Sequence, residues 1–141
     1  MFKSLLLAID INDPEAAARS TKAAVQMATD QGAELHILNV VPDDGMPIVS
    51  ASLTADHNES ALGAAQSALK SWAEGSIPDA LAPRLHVARG RIYDQILRVS
   101  DELGVDVIVV AAHSPALRDY LLGSNAARVA RHAKQSVFVI R

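Results

Sequence analysis

Short runs of branched apolar residues recur along this chain, each followed by a longer stretch with helical periodicity. The runs are Ser4–Ile9, Leu35–Val41, Arg84–Ala88, Val105–Ala112 and Ser136–Ile140. Several are apolar at nearly every position, with no alternation of polar and apolar residues. A strand wetted on one face alternates; one without alternation needs cover on both faces, as in a parallel sheet with crossover helices. The order is therefore β-α-β-α-β-α-β-α-β. Right-handed crossovers leave few arrangements for five parallel strands. The expected class is α/β: a doubly wound, open, parallel five-stranded sheet of order 3-2-1-4-5 with helices on both faces.

The helical stretches are punctuated. Asp13 can cap the first, Pro14 suits its first position, and Gly32 ends it. The second runs from about Leu53 to Glu74, with Leu62, Ala65, Leu69 and Trp72 on one stripe and Gly75 as the expected stop. The third, from Ile92 to Leu103, meets Gly104. The fourth opens at Gly123-Ser124 and closes with Arg131, His132 and Lys134, cations suited to a helix C-terminus. Pro42–Ser50 and Ser76–Pro83 read as irregular.

Composition narrows the classes further. A chain of 141 residues, 50% hydrophobic, suits one domain over 1–141. The 25 alanines favour helices lying close on the sheet. Without cysteine there is no thiol nucleophile and no Cys-ligated metal. Thirteen Lys+Arg against sixteen Asp+Glu make no basic field, and five aromatics offer few stacking platforms, so nucleic acid is not an expected partner. The longest apolar run, Val107–Ala112, is far short of the ~20 residues that span a bilayer. Leu5–Ile9, broken by Asp10, is too short for a secretory core. These features predict a soluble, cytoplasmic protein that avoids membranes.

In an open α/β sheet, ligands bind beyond the carboxyl ends of the strands, where the strand order reverses. For order 3-2-1-4-5 that point lies between strands one and four. It selects Asp10 at the end of strand one and Ala111–Ser114 at the end of strand four. The chain then reaches Gly123-Ser124-Asn125, which opens a helix whose free N–H groups and dipole suit a phosphate. Ser124 has two readings here, phosphate donor or simple helix cap. His113, Ser114 and Arg118 are phosphate donors in one reading and solvated loop residues in the other.

The segment VIVVAAHSPALRDYLLGSNAARVARHA, followed by SVFVIR, resembles the C-terminal signature of the universal stress protein family. Lys3–Asp10 resembles the family's first strand with its closing acid, and Leu38-Asn39-Val40 stands where Leu-His-Val is usual. His86–Gly90 resembles the third strand and its glycine. The resemblance spans the whole chain. It implies the same doubly wound fold, a dimer, and either of two branches, one that binds ATP and one that does not. The binding branch carries Gly-x2-Gly-x9-Gly-Ser/Thr. Here only Gly123-Ser124 matches; the other glycines fall on Val110 and His113, or on Ala111 and Ser114 in a register one residue shorter.

A group with a Leu-Leu-Gly-Ser-Asn run is similar and includes nucleotide binders. By this resemblance ATP or AMP, with or without Mg2+, would lie against Ala8, Asp10, Val40, Ala111, His113, Ser114, Arg118, Gly123, Ser124 and Asn125. Asp10 would take the adenine amino group or the ribose edge, and the Val40 backbone would meet the base. The expected function is a regulatory module binding an adenine nucleotide. The alternative is a dimeric stress-response interaction protein without nucleotide, its crevice filled by His113 or Met46.

No Gly-x-Ser-x-Gly elbow or dense acid/base cluster suggests an enzyme, although slow ATP hydrolysis needs little beyond bound phosphate and water. No histidine pair at helical spacing beside an acid suggests a metal site. His36 and His86 fall inside strands and read as packed residues, and Gly90 as a helix cap or turn. The last strand, Val137, Phe138, Val139 and Ile140, would be an apolar sheet edge almost without charge. Such an edge invites pairing with a second copy, the homodimer usual in the family.

Overall fold

The computed structural model describes residues 1–42, 51–112 and 122–141, with the backbone alone for 51–58. The elements run β1 (Ser4–Ile9), α1 (Pro14–Gln31), β2 (Glu34–Pro42), α2 (Ala51–Ser76), β3 (Arg84–Gly90), α3 (Ile92–Leu103), β4 (Val107–Ala111), α4 (Ser124–His132) and β5 (Ser136–Ile140). A short 3-10 turn, Asp79–Leu81, separates α2 from β3. The five strands form one parallel sheet in the order β3-β2-β1-β4-β5. The expected fold is the fold found.

The absence of alternation in β1 has its explanation in two cores, one on each face. Leu5, Leu7 and Ile9 join Leu35, Ile37, Val107 and Val109 against the small residues Ala17, Ala24 and Ala28 of α1 and Leu69 of α2. Leu6 joins Leu38, Ile108 and Val110 against Ile96 and Val99 of α3 and Val129 of α4. Leu5, Leu6 and Leu7 have no exposed surface. Each such side chain is worth about 1.5–3 kcal/mol of burial, so this tripeptide nails the sheet to both layers. The alanine face of α1 lets that helix lie close to the strands.

Helix ends follow the local chemistry in most places. The Asp13 carboxylate accepts from the Ala16 amide at 3.3 Å, and α1 and α3 close on Gly32 and Gly104. Gly75 does not stop α2, which continues to Ser76. The Ile77 amide still donates to the Ala73 carbonyl at 3.0 Å, and both side chains are buried. That packing outweighs the cost of an interior glycine, about 1 kcal/mol, and Pro78 then forbids another turn.

The fourth strand begins at Val107, two residues later than expected. Val105 belongs to the end of α3, its amide donating to the Ser100 carbonyl at 3.2 Å. Asp106 turns its carboxylate onto the amides of Lys3 and Ser4, at 2.7 and 3.1 Å, tying the start of β1 to that of β4. Gly90 is neither a helix cap nor a simple turn. It is the last residue of β3 at φ 144, and Arg91 stands at the helix cap. Pro42, expected in an irregular segment, pairs with Gly90 at the end of β2.

Candidate functional site

The strand order reverses at β1 and β4, and a cavity of about 260 Å³ opens beyond their carboxyl ends. Ala8 and Asp10 come from β1 and its exit, Val40 from β2, Ala111 from the end of β4, and Gly123, Ser124 and Asn125 from the start of α4. These seven positions, scattered over more than a hundred residues of sequence, line one space. His113, Ser114 and Arg118 lie outside the described residues, as does Met46.

The cavity is chemically two-sided. One side belongs to α1 and the turn before it. Asp10 is exposed, and its Oδ1 accepts from the Asn12 amide at 2.9 Å while its carbonyl accepts from the Asp13 amide at 3.0 Å. This turn holds the carboxylate at the cavity lining and leaves its other oxygen without a partner among the described residues. Asp13 caps α1, so no bare helix terminus faces the ligand on this side. Acceptors dominate here.

The other side belongs to α3 and α4, on the opposite face of the sheet. Gly123 takes the cap position of α4 at φ −65 and ψ 156, and no side chain caps the helix. Ser124 is therefore the first helical residue and not the cap, which removes the simpler of its two readings. Its hydroxyl adds a donor to the unpaired N–H groups of the first turn. The first turn of α4 holds no acidic residue, whereas Asp94 already occupies that of α3. Of the two helices on this side, α4 is the one whose positive end has no acidic neutraliser among the described residues.

Between the two sides the lining is apolar, with Val40, Val110, Ile92 and Ile96. Ala111 sits in extended strand backbone; among the described residues Ala82 is the one non-glycine at positive φ. Its methyl group costs space at the strand exit but imposes no strain. Sequence reasoning missed Asp13, Ser20, Ile92 and Ile96 as lining residues. Asp13 had a sufficient local role as a cap. Ser20 is buried, with its hydroxyl donating to the Ala16 carbonyl at 3.1 Å. The isoleucines belong to α3, which the sequence does not place beside β1. Asn39, at the position of the family's usual histidine, does not line the cavity.

The profile of the Universal stress protein family matches residues 1–141, which include the crevice and the glycine-serine helix start. The chain belongs to the universal stress protein family. Universal stress protein G of Shigella flexneri is 30% identical over 149 residues, covering all of both chains. The solved universal stress protein UspA from Lactobacillus plantarum superposes with a TM-score of 0.73 at 22% identity, over 99% of this chain and 97% of that one. A universal stress protein solved in complex with cAMP gives 0.61 at 24% identity, over 99% and 97%. Within the described residues, no helix of this universal stress protein is long and apolar enough to cross a membrane.

Proposed function

We propose that this universal stress protein is a cytoplasmic regulatory module, not an enzyme, that holds an adenine nucleotide, ATP or AMP with or without Mg2+, in the crevice between β1 and β4. One observation carries the reading. The cavity sets carboxylate acceptors at the α1 side against a helix start at the α4 side that has no capping side chain and no first-turn acid among the described residues, with an apolar floor between. An adenine nucleotide has the matching sequence of groups: amino and hydroxyl donors, a flat apolar base, and phosphate. The cAMP complex of a relative supports the class of ligand.

In this reading Asp10 receives the amino group or a ribose hydroxyl, the Val40 backbone borders the base, and Ser124 and Asn125 bind phosphate. His113, Ser114 and Arg118 add donors to the phosphate, and Ala111 borders it with a methyl group on unstrained, extended backbone. The module works as a homodimer paired through β5. Isothermal titration with ATP, AMP and cAMP, each with and without Mg2+, tests the proposal. Saturable heat at tens of micromolar protein is expected, with a fitted binding free energy of about −7 kcal/mol or stronger. No heat with any of the three, and no nucleotide released on denaturation, would leave the ligand-free interaction protein as the reading.

A further inference from the structure

A second cluster of polar groups lies at the other end of the sheet, away from the crevice. His36 on β2 and His86 on β3 face the α3 side, since they share the alternation of Leu38, Val40 and Ala88. His36 is 3% exposed. Its Nδ1 lies 2.9 Å from His86 Nε2, with the rings stacked at 5.1 Å between centroids. Its Nε2 lies 2.6 Å from Glu34 Oε1, and Arg84 Nη2 is 3.5 Å from the other Glu34 oxygen.

These contacts fix where the protons sit. Glu34 as a carboxylate only accepts, so His36 Nε2 carries a hydrogen and donates to it. Neutral His36 then has a lone pair on Nδ1, and His86 Nε2–H donates to it. One added proton, on either ring, preserves an N–H···N bond between the two. A second cannot be accommodated, because the two facing nitrogens, 2.9 Å apart, would then both carry hydrogens.

We propose that Glu34, His36 and His86 form an acid-sensitive latch that holds the edge strand β3 to β2 with no or one added proton and releases it with two. β3 is the terminal strand of the sheet, so β2 is its sole strand neighbour among the described residues. The groups facing the pair are few. From β3 come Arg84 and His86; from β1 the register neighbours are Ser4 and Leu6, neither of which titrates. The inward residues of α3 are Ile96, Val99 and Ser100. Its charged residues Asp94, Arg98, Asp101 and Glu102 are exposed. Burial, then His36, then Arg84 hold the His86 imidazole below its ordinary 6.5, consistent with a second proton being resisted.

The sign follows by linkage. A histidine with a lowered native value contributes its full stabilisation above the ordinary histidine range. That contribution is lost as pH falls through the ordinary value towards the native one. Amide hydrogen exchange of the whole chain, corrected for the intrinsic pH dependence, reads the latch directly. Between about pH 7.5 and about pH 5, the amides of β3 should open about tenfold faster, with those of β1 unchanged. His86→Gln keeps a donor towards His36 but cannot titrate, and should flatten the response. Equal acceleration in β1 and β3, or an unchanged response in His86→Gln, would overturn the proposal. NMR titration of the wild-type imidazoles gives a check that needs no variant. Two separated steps shared by His36 and His86 support the latch, and one common step rejects it.

Discussion

Ala111 carries a single methyl group where, in the shorter of the two loop registers, the resemblance implies a glycine. Because it closes a strand in extended backbone, the methyl acts on the ligand's space and not on the chain's conformation. Ala111→Gly is therefore expected to tighten nucleotide binding a few-fold by titration, while lowering stability by about 0.5–1 kcal/mol through added chain entropy. Gly90 is the opposite case. At φ 144 the backbone itself opposes any side chain, whereas the atom nearest a β-carbon built there, Gln95 Nε2 at 2.9 Å, is the far end of a flexible side chain that can swing aside. Gly90→Ala should cost about 1–3 kcal/mol in chemical denaturation. A cost near zero would mean that β3 and the start of α3 shift freely. Gly90 could be found in the sequence as a glycine after a strand, but its reason could not, because its positive φ is set by how β3 turns into α3.

The start of α4, the proposed phosphate-binding element, is held in position from behind. Ala126 and Val129 pack into the core on the α3 side, and the Arg128 guanidinium lies 4.8 Å over the Tyr93 ring of α3. The helix end thus keeps its direction without a capping side chain. Ser124→Glu separates stability from binding at this element. A carboxylate in the first turn of a helix is favourable by about 0.3–1 kcal/mol, so Tm should hold or rise. The same charge repels phosphate, so ATP affinity in titration should fall about tenfold or more. A variant that binds ATP as tightly as the wild type would place the phosphate elsewhere. The sequence marked this element because Gly-Ser-Asn before a helical run is a local signal. It left Ser124 ambiguous between cap and ligand, since the two differ by one residue in where the helix starts.

For the whole molecule the exposed edges matter most. β5 ends the sheet opposite β3. Along it Val137 and Val139 lean on the α3–α4 core, whereas Phe138 is 40% exposed and meets the Phe2 ring edge-on at 6.0 Å. Val139→Lys would therefore damage the core as well as any pairing of edges. Phe138→Lys isolates the second effect. If two copies pair through β5, sedimentation should show a dimer for the wild type and a folded monomer for the variant. A Phe138→Lys protein that remains dimeric would move the interface elsewhere. The strand count, the parallel order and the two-faced burial were all determined by the sequence, because apolar runs without alternation and glycine-punctuated helices are local patterns tied to local backbone geometry. Tertiary structure alone decided that Asp13, Ser20, Ile92 and Ile96 share a cavity with Asp10 and Ser124, and that His36 meets His86 across fifty residues. Those contacts come from register and from the packing of helices across a sheet, and neither leaves a mark in the spacing of residues along the chain.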